Sequence, residues 1–290
     1  MKFHVMKSRP KAPRLIQCAT PWSMIGWPSA GRTWPLKKQI AAIKAAGFDG
    51  IASYATPEVK AEADRAGLRI FSGISAGSLA EAMPHFRAHR AVGVPLINVQ
   101  WMDDDTPPAV AARGIPRLVR VARSMGLDPH IETHRDTATE TPEKFDEIAR
   151  RYRRATGALM PVTWDHSHFA VSKHMMPADY SRRLLVWKKL IQNSRLFHLR
   201  PFNSQHCQVP VTDGRGRLTP EFRDYMKFVE DLFALWLAGP RPGGELWTCP
   251  ELGMSHGYHL STHPHPWPDA IVARRAFAAA WRRALKRTGF

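Results

Sequence analysis

Four short stretches gather the side chains that could do chemistry: Glu132-Thr133-His134-Arg135-Asp136, Trp164-Asp165-His166-Ser167-His168, Phe197-His198-Leu199-Arg200 and Cys249-Pro250-Glu251. Glu132, Asp165 and His198 follow one another at intervals of 33 residues, and Glu251 comes 53 residues after His198. Three carboxylates and an imidazole brought to one place would conflict, since like charges raise one another's pKa values. A divalent cation resolves the conflict and gives the cluster a purpose. Three oxygen donors and one nitrogen make a harder site than a thiolate zinc site, with room in a six-coordinate shell for substrate oxygens. The expected cofactor is one divalent ion, Mn2+ first, with Mg2+, Co2+ and Zn2+ as alternatives, held by Glu132, Asp165, His198 and Glu251.

The even spacing asks for a repeating scaffold. Short β-type runs alternate with helical stretches along the chain. The strands are expected at Leu15–Thr20, Phe48–Ser53, Leu68–Ile74, Pro95–Gln100, Pro129–Thr133, Pro161–Asp165, Leu196–Leu199 and Leu246–Glu251. Helices are expected at Leu36–Ala46, Pro57–Ala66, Ser78–Val92, Pro107–Met125, Pro142–Ala155, Ala178–Gln192, Thr219–Ala238 and Pro268–Arg287. Glycines at Gly47, Gly67, Gly93 and Gly126 stand where helices should stop before the next strand. Eight strand–helix units in 290 residues fit a single (β/α)8 TIM barrel over 1–290, whose active sites lie at the C-terminal strand ends. A doubly wound sheet is the competitor, but no GxGxxG follows the first strand. In the barrel, all four chemical stretches fall at the ends of the last four strands.

Composition narrows the class. At 44% hydrophobic and 23% charged residues the chain is not a disordered one. No apolar run reaches the eighteen or so residues of a membrane span, and Met1–Pro10 lacks the apolar core of a secretory signal. Cys18, Cys207 and Cys249 are an odd count with no CxxC, which argues against a disulfide framework and a zinc ribbon. The expected setting is the cytoplasm. The formal charge of +17, from 42 Lys+Arg against 25 Asp+Glu, raises the question of an acidic partner. Yet Arg113, Arg117, Arg120 and Arg123 recur at helical spacing, as do Arg274, Arg275, Arg282, Arg283 and Lys286, so they read as solvated helix faces. No membrane and no specific nucleic acid is expected as a partner, and a homo-oligomer is left open.

The motifs Glu132-Thr-His-Arg-Asp, Asp165-His-Ser-His168, His198-x-Arg200 and Pro-Glu251 resemble the xylose-isomerase-like TIM barrels, a group with sugar isomerases, epimerases and apurinic-site endonucleases. The resemblance implies the metal ligands already named. It also implies that Glu132 and Glu251 exchange protons with a substrate, that His168 is a substrate-binding or neighbouring catalytic histidine, and that Arg200 is a looser match to a substrate-binding arginine. His134 and Arg135 could bind hydroxyls or an anionic group or sit in a solvated loop, and Trp101 could form an apolar wall against a sugar or pack in the core. The expected partner is then a small-molecule sugar or sugar derivative. The expected reaction is isomerisation or epimerisation by proton abstraction next to a carbonyl, with elimination from a 3-oxo-glycoside or a hydride shift as alternatives.

Two other readings compete. The group's nucleases need a trinuclear zinc cluster with extra histidines, but the second and fourth strand ends carry Ala52-Ser53-Tyr54 and Asn98-Val99-Gln100, and the long loop gives Asp213-Gly214-Arg215. A non-catalytic sugar-binding barrel has no need of two opposed glutamates. The histidines His256, His259, His263 and His265 read as a Pro-rich lid rather than a metal tract, and Pro210–Gly214 as a turn in a flexible loop.

Overall fold

The computed structural model describes residues 12–29, 31–262 and 265–290. His263 and Met1–Pro10 therefore lie outside the described residues. Eight parallel strands close into a barrel: β1 (Arg14–Ala19), β2 (Gly50–Ala52), β3 (Arg69–Ala76), β4 (Leu96–Trp101), β5 (Asp128–Glu132), β6 (Val162–Asp165), β7 (Leu196–His198) and β8 (Glu245–Cys249). Each strand pairs with the next in sequence, and β1 closes the ring against β8 in the register Ile16↔Trp247 and Gln17↔Thr248. A short hairpin, Pro28–Ser29 with Arg32–Thr33, stands in the loop after β1.

The helices follow the expected pattern over most of the chain: α1 (Leu36–Ala45), α2 (Pro57–Ala66), α3 (Leu79–Val92), α4 (Pro108–Ser124) and α5 (Pro142–Thr156). Thr56, Ser78 and Thr141 cap α2, α3 and α5 by accepting backbone N–H bonds from Val59, Glu81 and Lys144. The four expected stop glycines all adopt positive φ, from 63° at Gly67 to 80° at Gly47.

The unit after β6 departs from expectation. The spacing predicts one helix over Ala178–Gln192; the chain there forms two short helices, α7 (Tyr180–Leu184) and α8 (Lys188–Asn193), preceded by an unpredicted α6 (His166–Ser172) directly after β6. The break between α7 and α8 comes just before Trp187, which turns inward. Its ring packs on Phe145, Trp164 and Phe169 at centroid distances of 5.4, 5.9 and 5.6 Å, and its Nε1 donates to Asp146. Burying that aromatic surface outweighs continuing a surface helix. Two long helices, α9 (Pro220–Leu237) and α10 (Trp267–Thr288), complete the ring and pack on each other. No helix among the described residues is long and apolar enough to cross a membrane.

Two apolar cores follow from the period of two along each strand. A small one fills the barrel, with Ile16, Cys18, Phe71, Leu196, Trp247 and Cys249. The large one lies between the strands and the helices. Strand β4 shows the alternation: Leu96 belongs to the inner core and Ile97, Val99 and Trp101 to the outer one. The basic residues behave as the helical spacing predicts, with Arg113, Arg117, Arg120, Arg123, Arg282, Arg283 and Lys286 exposed. Arg274 is the half-buried exception, over the Phe48 ring at 5.6 Å.

Trp101 is thereby corrected: it is not a wall against a substrate. Its ring is 1% exposed, faces α4, and donates from Nε1 to the Ala111 carbonyl. Gly114 makes room for it, since a Cβ there would stand 2.6 Å from the ring. Alanine favours a helix interior over glycine by about 1 kcal/mol, but overpacking costs about 1–3 kcal/mol. Gly114→Ala is therefore expected to lower stability, seen as a lower midpoint in urea with an unchanged slope. A raised midpoint would contradict this packing.

Candidate metal centre

The barrel register sets the four candidate ligands together. Asp165 on β6 is the register partner of His198 on β7, and His198 is in turn the partner of Cys249 on β8. Glu132 ends β5 opposite Thr163, two residues before Asp165 on the same face of β6. Glu251 lies two residues beyond β8, past Pro250. One ligand atom from each of Glu132, Asp165, His198 and Glu251 falls within 4.8 Å of the others. Atoms around one ion at about 2.1 Å lie within about 4.2 Å of each other, so a small contraction brings these to coordination distance.

Glu132 and Asp165 are held from behind. Asn98 Nδ2 and Gln100 Nε2, the inward residues of β4, donate to Glu132 Oε2 at 2.6 and 3.0 Å. Thr133 splices the neighbouring strand ends: its hydroxyl donates to the Asp165 carbonyl at 3.0 Å, and the Asp165 N–H donates to that same hydroxyl at 2.9 Å. Asp165 also caps α6, its Oδ1 accepting the Ser167 N–H at 2.9 Å. That bond leaves Oδ2 turned toward the cluster, where His168 Nε2 and Arg200 Nε each lie 3.2 Å away.

The charges show why the cluster is stable. His198 Nδ1 lies 2.7 Å from Glu132 Oε1 and 3.0 Å from Glu251 Oε2. Burial alone would lower the His198 pKa, but the two glutamates hold it well above the ordinary imidazole value. Burial pushes Glu132 up and His198 and His134 outweigh it, bringing its pKa to about 2. Burial likewise opposes, and His198 and Arg200 overcome it, at Glu251, also held at about 2. Asp165 ends well below the usual carboxylate range, with His168 and Arg200 prevailing over its burial. Three negative charges thus face two positive ones, protonated His198 and Arg200. A divalent ion in place of the His198 proton would balance the set. The donor chemistry, the separation and that charge count all fit one divalent cation.

The structure brings Glu132, Asp165, His198, Glu251 and His168 together at this rim, and His134 joins them, its ring 4.3 Å from that of His168. Arg200 is corrected in part. Its guanidinium is buried and committed to the ligands, Nη2 donating to Glu251 Oε2 at 2.6 Å. Three groups were missed as participants. Asn98 and Gln100 count in the sequence only as absent histidines, although two amides alternating within Leu-Ile-Asn-Val-Gln-Trp mark the inward face of a buried strand. Tyr258 and Trp22 roof the site: their rings meet edge to face at 5.1 Å, with the Arg200 guanidinium 4.5 Å from the first and 5.7 Å from the second. Gly253 permits this roof, since a Cβ there would stand 2.1 Å from Trp22. No local motif signals that contact. Cys207, from the loop after β7, lies 3.6 Å from His168 Nδ1.

No protein-family model matches the chain, and no curated protein sequence does. Solved structures do. A xylose isomerase-like TIM barrel/4-hydroxyphenylpyruvate dioxygenase fusion protein superposes with a TM-score of 0.59 at 16% identity over 94% of this chain, which spans 44% of that protein's length. An L-ribulose 3-epimerase gives 0.60 at 12% identity, covering 95% of this chain and 96% of its own. A xylose isomerase-like TIM barrel protein from Mycobacterium smegmatis, in complex with magnesium, gives 0.57 at 14% identity over 95% and 98% of the two chains. The fold is therefore a (β/α)8 TIM barrel like that of these xylose isomerase-like structures. A likeness at these identities defines the architecture, and the chemistry has to be argued from the cluster.

Because His198 keeps its proton well above the ordinary imidazole range, a divalent ion has to displace that proton. Binding near neutral pH should release about one proton per ion, and affinity should rise about tenfold per pH unit below the raised pKa. Calorimetry of manganese binding in buffers of different ionisation enthalpy reads this directly. An affinity that stays flat between about pH 6 and 8 would contradict the arrangement.

Proposed function

We propose that this protein is a divalent-metal-dependent sugar isomerase or epimerase that abstracts a proton next to a carbonyl. The observation that carries the reading is the asymmetry of two glutamates around one cation position. Both touch His198 Nδ1 from different strands. Glu132 is buried, and its other oxygen is saturated by Asn98 and Gln100. Glu251 has its Oε2 taken by Arg200 and His198, while its side chain stays 20% exposed. The bound ion would act as a Lewis acid, stabilising negative charge that develops on the substrate carbonyl oxygen.

The chain's own residues do the rest. With pKa values of about 2, Glu132 and Glu251 are both ionised at neutral pH, the form in which a carboxylate can act as a base. Glu251, with oxygen open to the mouth, takes the proton first. Glu132, held by the two amides, orients the substrate and serves the opposite face. His168, buried and pushed below the ordinary imidazole value by that burial, stays neutral and braces Asp165 from behind rather than meeting the substrate. Its ring is fixed by Asp165 and Cys207. Trp22 and Tyr258 exclude water from the reacting carbon.

The L-ribulose 3-epimerase with the same fold is consistent with this chemistry. Elimination from a 3-oxo-glycoside begins with the same abstraction and needs only one base, and a hydride shift needs none. The metal-loaded protein, offered ketoses, ketose phosphates and 3-oxo-glucosides in deuterated water, should incorporate solvent deuterium at the carbon beside the carbonyl. Turnover without label would indicate the hydride shift. Glu251→Gln should cut turnover by about 10²–10⁴-fold, the usual contribution of a general base. Metal content measured on the same sample separates lost chemistry from lost metal. A Glu251→Gln variant that keeps its metal and full turnover would overturn the assignment.

A further inference from the structure

Beside the carboxylate cluster, three buried donor atoms have no partner: Arg135 Nε, on a side chain that is 43% exposed, Arg200 Nη1 and the Tyr258 hydroxyl. They belong to one assembly. The Arg135 and Arg200 guanidinium carbons lie 4.7 and 4.5 Å from the centroid of the Tyr258 ring. Buried polar groups in folded proteins nearly always have partners, so three orphans grouped around one tyrosine ring mark where an acceptor belongs. A guanidinium offers donors only. Burial holds the Tyr258 hydroxyl above the ordinary phenol range, so it too keeps a proton to donate. The group that would satisfy all three is rich in lone pairs.

Charge points the same way. Arg200 is matched by Asp165 and Glu251 at 3.2 and 2.6 Å. Arg135 has only Asp136, 3.8 Å away and 82% exposed, where solvent screens the pair. One positive charge at the mouth is therefore without a buried counter-charge.

We infer that the substrate is an anionic keto-sugar, a sugar acid whose carboxylate seats against Arg135, Tyr258 and Arg200 Nη1 while its carbonyl end faces Glu132 and Glu251. The inference rests on the isomerase or epimerase reading above and adds the substrate class. A carboxylate fits better than a phosphate: it brings one negative charge to one unmatched cation, and its two coplanar oxygens suit the guanidinium fork.

Three hexuloses that differ only at the sixth carbon test it: D-fructuronate, D-fructose and D-fructose 6-phosphate. Calorimetry with the manganese-loaded protein should show D-fructuronate binding at least tenfold more tightly than D-fructose. That ratio should fall to within threefold in Arg135→Gln, and it should shrink in Tyr258→Phe. Equal affinity for the acid and the neutral sugar, or a preference that survives Arg135→Gln, overturns the inference. Tighter binding of the phosphate overturns the carboxylate assignment. If none of the three sugars binds, the isomerase reading fails, and a sugar-free comparison decides the anion site alone. Saturation-transfer NMR should then detect propionate but not propionamide, with the propionate signal lost in Arg135→Gln. Propionate binding no better than propionamide overturns the site.

Discussion

Three carboxylates share the dry mouth of this barrel, and their mutual repulsion is the constraint on which the rest of the site depends. Glu132 and Asp165 are fully buried, and the Glu251 side chain is 20% exposed. Charges out of water are tolerated only when paired and hydrogen-bonded, and removing one partner of such a set costs about 3–5 kcal/mol. Arg200 and protonated His198 supply part of the compensation, each bridging two of the acids. The remaining imbalance is what a divalent cation would remove. The same imbalance would turn a liability for folding into affinity for an ion.

The surrounding structure can be understood as the means of keeping those charges from relaxing apart. Asn98 and Gln100 fix one acid through its second oxygen, and Thr133 stitches β5 to β6 at the backbone of another. Asp165 divides its two oxygens between the α6 N-terminus and the cluster, which sets its orientation without a further side chain. Outer-sphere hydrogen bonds of this kind orient ligands and raise their affinity for metal. The roof of Trp22 and Tyr258 lowers the local dielectric, which strengthens every charge interaction beneath it. Trp101, on the outer face of β4, braces that strand against α4 while its neighbours point inward.

Much of this was legible in the sequence. The barrel follows from alternating two- and 3.6-residue periods, with glycines such as Gly47 and Gly126 stopping helices. The ligands are readable because a barrel concentrates function at strand ends, so Glu132, Asp165 and His198 at even spacing declare themselves. What escaped depends on contacts distant in sequence. Trp22 and Tyr258 meet across 236 residues, allowed by a glycine whose role shows only in three dimensions. Arg200 sits at the expected rim, but whether it faces substrate or ligands is decided by side-chain geometry. Trp101 was recoverable: it shares the parity of Ile97 and Val99, and that alternation assigns it to the outer core. The broken helix near Trp187 was not, since its ring answers to Phe145 and Trp164 rather than to its neighbours in sequence.

The central claim is that Glu132, Asp165, His198 and Glu251 form one divalent cation site. Elemental analysis of protein purified without chelator, beside an Asp165→Ala variant, tests it most directly. The account predicts about one divalent ion per chain in the native protein and loss of that ion in a variant that remains folded. Stoichiometric metal that persists in Asp165→Ala, or three zinc ions per native chain, would contradict it.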